Sequence, residues 1–255
     1  MDISIIPECS GIVKSRNYPD LYWVLSDSGN PPAVFPIHAD GTIEGGDGGF
    51  LTDQANIDWE DITIDHRDNL ILSDSGNNLL NRDNLAVILF PEPDPYQDSS
   101  ADDIIRIDFR YPETKPEKIR SYDSEALFWY RGALYLLTKH LTGYSRLYRF
   151  PSLEPGREQT LTFIMAFHPK GMVTAADADD SRNELAVLTY SGIHLFDLET
   201  VETGTEDYTL EDLVEISFLP LAAGQCEGVC FSGDSLIITN EMGGIFSVPL
   251  ADLHR

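Results

Sequence analysis

Short apolar runs recur along the whole chain, and each is closed by Gly, Pro, Asn, Asp or Ser. They are rich in β-branched and aromatic residues, as in Leu21-Tyr22-Trp23-Val24-Leu25 and Ala86-Val87-Ile88-Leu89-Phe90. No long segment keeps the spacing of a helix with one apolar face. Residues of this kind suit a pleated, half-buried surface, so the pattern predicts an all-β chain.

The runs are copies of one unit. First strands are predicted to begin at Ser10-Gly11-Ile12-Val13, Glu60-Asp61-Ile62-Thr63, Glu125-Ala126-Leu127-Phe128, Ala176-Asp177-Ala178 and Glu227-Gly228-Val229-Cys230. Second strands, at 22–26, 70–73, 135–138, 186–189 and 236–239, all end in Ser or Thr. The distance from the first marker to that hydroxyl is 16, 13, 13, 13 and 12 residues. Third strands fall at 33–37, 86–90, 146–150, 193–196 and 245–248, and fourth strands at 104–109, 161–167 and 214–219. In the first copy the fourth strand is weakly signalled, within the Gly-rich stretch 42–52, and the last copy stops after its third. A four-stranded sheet repeated at about 50 residues is a β-propeller blade. The five copies in 255 residues predict one domain, residues 1–255, folded as an all-β, five-bladed β-propeller of four-stranded blades. Residues 2–6 have no place in the first copy and are expected to close the ring as the missing strand of the last blade.

Composition narrows the partners. The net charge is −26, from 43 acidic and 17 basic residues, which disfavours nucleic acid and anionic membranes as partners and favours a cation. Many of the acids fall in stretches read as connections, such as 92–103 and 199–212. The three cysteines, Cys9, Cys226 and Cys230, form no disulfide framework and are read as structural thiols. The chain has no apolar run of membrane-spanning length and no signal peptide at its start. It is therefore expected to be soluble: cytoplasmic if the chain is complete, periplasmic or secreted if a signal was removed.

The repeat also places a site. The first strand of a propeller blade lines the central channel, and the second runs antiparallel to it, so the start of one and the end of the other share a mouth. Ser10, Glu60, Glu125, Ala176 and Glu227 would form a ring there, with Asp27, Asp74, Lys139, Tyr190 and Asn240 nearby. Asp61 and Asp177 are expected to face a neighbouring blade or the rim. Three carboxylates in a narrow channel repel, so either their pKa values rise or a cation sits among them. Oxygen donors of this kind suit Ca²⁺, then Mg²⁺. Ser10, Glu60, Glu125 and Glu227 are thus the candidate metal ligands. The competing reading has these groups only hydrogen-bonding the blades to one another. Asp27, Asp74, Lys139 and His140 are the candidate catalytic groups, orienting water or stabilising negative charge. The remaining histidines, His38, His66, His168, His194 and His254, fall away from this mouth. The repeated Asp-Ser-Gly-Asn at 27–30 and 74–77 is also a good turn sequence. No serine-nucleophile elbow, zinc-protease motif, P-loop or dinucleotide fingerprint is present.

The stretches LYWVLSDSGN (21–30), DWEDI (58–62), FPEPD (90–94), YDSEAL (122–127), VTAADA (173–178) and QCEGV (225–229) resemble a bacterial group of uncharacterised β-propeller proteins. The arrangement is also similar to the five-bladed calcium-activated nucleotidases (apyrases), whose channel Ca²⁺ is held by inner-strand Ser and Glu. That resemblance implies Ca²⁺ at Ser10, Glu60, Glu125 and Glu227, with Ala176 departing from the side-chain oxygen expected in the fourth blade. The functions in view are a metal-dependent hydrolase of phosphoesters or lactones, a non-catalytic binding or scaffold propeller with a structural channel site, and a sensor of a small-molecule ligand.

Overall fold

The computed structural model describes residues 1–113, 122–140, 143–202 and 208–254, with the side chains of 199–211 left aside. Blade one contains β1 (Cys9–Lys14), β2 (Leu21–Ser26), β3 (Ala33–His38) and the short β4 (Phe50–Leu51). Blade two contains β5 (Trp59–Ile64), β6 (Asn69–Asp74), β7 (Ala86–Pro91) and β8 (Ile105–Arg110). Blade three contains β9 (Ser124–Tyr130), β10 (Ala133–Thr138), β11 (Ser145–Arg149) and, after the two-residue β12 (Gln159–Thr160), β13 (Thr162–Phe167). The β12 strand runs back to lie parallel to β8, on the edge of blade two. Blade four contains β14 (Val173–Asp179), β15 (Glu184–Thr189), β16 (Gly192–Glu202) and β17 (Tyr208–Pro220). Blade five contains β18 (Cys226–Ser232), β19 (Ser235–Asn240) and β20 (Ile245–Pro249), followed by the single-turn α1 (Leu250–Leu253). The five-bladed β-propeller is as the repeat predicts.

Two expectations are corrected. The N-terminal residues do not pair as a fourth strand of blade five, which has three. Instead Asp2 folds the segment into a turn: its carbonyl accepts the N–H groups of Ile5 and Ile6, and its side chain accepts from Ser4. The turn still reaches blade five, since the Met1 ammonium donates to the Gly243 carbonyl at 2.7 Å. Residues read as an acidic connection from 199 to 212 prolong the β16–β17 hairpin in their described part.

The core is divided among the seams between blades. Trp23, Leu25 and Val34 meet Trp59, Leu70 and Leu72 between blades one and two. Ile71, Val87 and Leu89 meet Leu127, Leu136 and Tyr148 between two and three. Ala126, Phe128 and Tyr135 meet Val173, Leu185 and Phe196 between three and four. Ala175, Leu188 and Ile193 meet Val229, Leu236 and Ile238 between four and five. The seam between five and one is mostly built from blade one, and Ile6, fully buried, fills it alongside Cys230 and Ile237. The three cysteines are free and buried in these seams, as structural thiols should be.

Each inner strand carries a β-bulge at the same place. The register slips by one residue between Cys9 and Gly11, Trp59 and Ile62, Ser124 and Ala126, Val173 and Ala175, and Cys226 and Gly228. A bulge leaves one residue unpaired and re-aims its side chain. The five equivalent residues are Ser10, Glu60, Glu125, Thr174 and Glu227. In the fourth blade the ring position is therefore Thr174, and not Ala176, which lies two residues further along a paired strand. The side-chain oxygen missing from the sequence alignment is present after all.

Candidate functional site

Hydroxyl groups stitch the mouth of the channel. Ser10 donates to the Trp59 carbonyl (3.2 Å), Ser75 to the Ser124 carbonyl (2.9 Å) and Thr174 to the Cys226 carbonyl (2.8 Å). Each acceptor precedes a ring glutamate, so these bonds hold the next blade's bulge in place. Asp61 and Asp177 join the blades in the same way. Asp61 accepts N–H groups from Ile62 and Leu127 at 2.8 Å and from Ala176 at 3.4 Å. Asp177 accepts from Phe231 at 2.8 Å. Both face neighbouring blades, as their positions predict, and burial pushes the Asp177 carboxyl up to about 7.

Glu60 takes no part in this stitching. It is only 6% exposed, yet no hydrogen-bond donor or cation among the described residues contacts its carboxylate. Carboxylates surround it instead. Oxygens of Asp27, Asp58 and Glu60 lie within 4.8 Å of one another, as do oxygens of Glu60, Asp123 and Glu125. Burial first, and then the charges of Glu125, Asp27, Asp58 and Asp123, raise the Glu60 carboxyl well above its ordinary value. Asp27 is pushed up to about 6, mainly by burial against the N–H of Ser28, with Asp58 and Glu227 adding to the rise.

The fold assembles this group from three turns at one end of the sheets. Asp27 follows β2, Asp58 precedes β5, and Asp123 precedes β9. The Asp58 N–H is held by the Asp74 carboxylate at 3.2 Å, and Asp123 accepts the Asn77 N–H at 2.7 Å. Gly76 packs directly on the cluster: a Cβ there would meet the Glu60 carboxylate and lie 2.5 Å from Asp58 Cγ. The two Asp-Ser-Gly-Asn copies thus use glycine differently. Gly29 has φ of 79° with open space around it and serves a left-handed turn, whereas Gly76 keeps room for carboxylates. Gly76→Ala adds no charge and sits at a position without positive φ, so its methyl group acts through the cluster. We expect it to weaken divalent-cation binding at least about tenfold, measured by isothermal titration calorimetry. Unchanged affinity would place the ion elsewhere.

A second network lies beside the first. Lys139 Nζ donates to Glu125 at 2.6 Å and to the Tyr190 hydroxyl at 3.2 Å, and Tyr190 donates to Glu227 at 2.8 Å. Although burial alone would lower it, the adjacent Glu125 carboxylate holds the Lys139 ammonium above its usual range. Burial, outweighing Lys139, pushes Glu125 up to about 8. Lys139 therefore stays charged at the edge of an acidic pocket.

Other candidates lie elsewhere or are already engaged. Asp74 is fully buried and paired with Arg82 (2.8 Å) and Arg106 (3.0 Å), a structural position. Asn240 caps its own turn through Ala223, Met242 and Gly244. The Ser10 hydroxyl is spent on Trp59, and Glu227 on Tyr190. His140 follows Lys139, half-buried at the end of blade three's second strand. Of the other histidines, His38, His194 and His254 pair with Glu44, Glu215 and Glu184, His66 stacks on Trp129, and His168 packs edge-on to Tyr144. The sequence reading missed Asp58, Asp123 and Thr174. The first two were visible as Asp-x-Glu, in Asp58-Trp59-Glu60 and Asp123-Ser124-Glu125.

No family model and no curated protein matches the chain. Solved structures do share its shape. One is an auxiliary nutrient binding protein from Bacteroides thetaiotaomicron, at TM-score 0.51 and 10% identity over 95% of this chain and 57% of that one. Another is the PQQ-bound aldose sugar dehydrogenase from Streptomyces coelicolor, at TM-score 0.49 and 12% identity over 96% of this chain and 94% of that one. Likeness at such identity concerns the fold alone. The resemblance to the bacterial propeller group therefore rests on sequence motifs, and that to the nucleotidases on the five-bladed arrangement and its ring positions. Among the described residues, no helix is long and apolar enough to cross a membrane.

Proposed function

We propose that the channel mouth binds a divalent cation, Ca²⁺ in preference to Mg²⁺, and serves as the site of a metal-dependent hydrolase acting on a phosphoester or lactone. The observation that carries the reading is Glu60: a buried carboxylate with no donor, facing four others. Such an arrangement is costly unless protonated or cation-bound. The donors are all hard oxygens from turns on two sides of Glu60, which suits the irregular, many-oxygen shell of Ca²⁺ better than the strict octahedron of Mg²⁺. Asp27, Asp58, Glu60 and Asp123 are the ligands we favour, with Glu125 at the border and Ser10 and Glu227 supporting the ring. The competing role, that these carboxylates only tie blades together, loses force because hydroxyls, Asp61 and Asp177 already do so.

When bound, the cation would supply Lewis acidity toward a phosphoryl or carbonyl oxygen. The chain's own contribution is the Lys139 ammonium, kept charged beside Glu125 and able to counter negative charge developing on a substrate. Tyr190 fixes that ammonium and passes a hydrogen bond to Glu227.

The test is a panel of phosphate esters, nucleotides and lactones assayed with Ca²⁺ and with EGTA. Turnover of at least one class should require Ca²⁺, vanish in Glu60→Gln, and fall about a hundredfold or more in Lys139→Met. Calcium bound without turnover of any class would overturn the hydrolase and leave a binding propeller.

A further inference from the structure

A second cavity, about 450 Å³, opens at the opposite end of blades two and three. The first residues of β6 and β10 and the last of β11 border it, whereas the acidic site lies where β6 and β10 end. Its wall mixes apolar side chains, Leu89, Leu134, Phe150 and Leu153, with polar ones that include Arg67 and Asn69. Into this wall the fold sets Arg149, whose Nε is buried without a hydrogen-bond acceptor. The Arg149 side chain makes no ion pair with any described residue. Arg16, Arg82, Arg106, Arg110, Arg146 and Arg182 each find a carboxylate, whereas Arg149, like Arg67 and Arg157, has none among the described residues. Trp129, also in the wall, buries its indole N–H without an acceptor. Two buried donors left unanswered among the described residues call for an added acceptor.

We propose that this cavity binds a small amphipathic carboxylic acid, its carboxylate on Arg149 and its apolar body against Leu134, Phe150 and Leu153. A guanidinium presents its donors as a planar fork that matches a carboxylate. A phosphate dianion fits less well, because Asp65 and Glu154 offset the charges of Arg149 and Arg67 in the same cavity. Asp65 does not compensate Arg149: its oxygens accept from the N–H groups of Arg67 and Asn69 and from the Asn69 amide. The local cations Arg149 and Arg67 are what let an anion bind here in a protein of net charge −26.

The experiment titrates hexanoate and phenylacetate, with their neutral amides and phenyl phosphate as comparisons, into the full chain. Binding is read by calorimetry and by the fluorescence of Trp129, isolated by comparison with Trp129→Phe. Both carboxylates should bind, and each amide should bind at least about tenfold more weakly. Arg149→Met should lose about tenfold or more, Arg149→Lys less, and Glu60→Gln nothing, which separates this site from the channel. Without probe, Arg149→Met should melt no lower than the parent, since the side chain it replaces has no ion-pair partner among the described residues. The proposal falls if neither carboxylate binds below about 10 mM, if the amides or Arg149→Met bind as well, or if phenyl phosphate binds more tightly than phenylacetate. Should Arg149→Met fail to fold, Arg149→Lys and the amide comparison decide.

Discussion

Calcium is expected to raise the melting temperature of the metal-free protein, and Glu60→Gln to abolish that rise. A ligand at about a hundred times its Kd stabilises the native state by about 2.7 kcal/mol. At about 2–4 °C per kcal/mol for a domain of this size, the shift is about 5–10 °C. Glu60→Gln should also make the metal-free protein more stable than its parent at pH 8. The sign follows from linkage. The folded-state pKa of Glu60 lies above its unfolded value, because of burial and then the charges of Glu125, Asp27, Asp58 and Asp123. The unfolded chain releases that proton first, so the stabilisation present below an ordinary carboxylate pKa is lost as pH rises through the raised one. The advantage of the glutamine should therefore vanish near pH 4 and grow toward pH 8, as measured by thermal melts in EGTA. A parent protein indifferent to Ca²⁺, or a glutamine variant that still responds, would remove the ion from this site.

Asp74→Ala is expected to cost about 3–5 kcal/mol, the penalty for breaking a buried ion pair. Asp74 is fully buried between Arg82 and Arg106, and it also accepts the Asp58 N–H at 3.2 Å. Urea denaturation should show a lower midpoint at unchanged slope. Because Asp58 loses its anchor, Ca²⁺ affinity should fall as well. Asp74→Asn retains an acceptor for that N–H, so it should cost less stability and keep more of the affinity. A loss below about 1 kcal/mol in the alanine variant would mean that the two arginines are satisfied by solvent.

The candidate site was half legible in the sequence. Ring residues Glu60, Glu125 and Glu227 stand out because each opens a strand 12 or 13 residues before a closing hydroxyl. Thr174 does not stand out, because its hairpin is longer, with four residues between Asp179 and Glu184 against two between Tyr130 and Ala133, which moves it off the common spacing. Asp74 and Asp27 look alike in sequence, both beginning Asp-Ser-Gly-Asn. They part company because only Asp74 has Arg82 and Arg106 within reach, and Arg106 comes from a strand 32 positions away. The N-terminal residues have strand composition, yet Asp2 satisfies their N–H groups locally and withdraws them from blade five.

The number of blades, the order of strands and the end of the channel where the acids gather followed from the chain itself, since repeat length and alternating polarity are local properties. Which acids share the pocket did not. That depended on the bulges that turn one residue per blade toward the axis and on a glycine that leaves Glu60 room. It depended also on which carboxylates find a cation from a distant strand. Glu125 meets Lys139 and Asp74 meets two arginines, while Glu60 is left with carboxylates. Charge pairing is decided by distances of a few ångströms between segments far apart in sequence, and only the closed ring sets those distances.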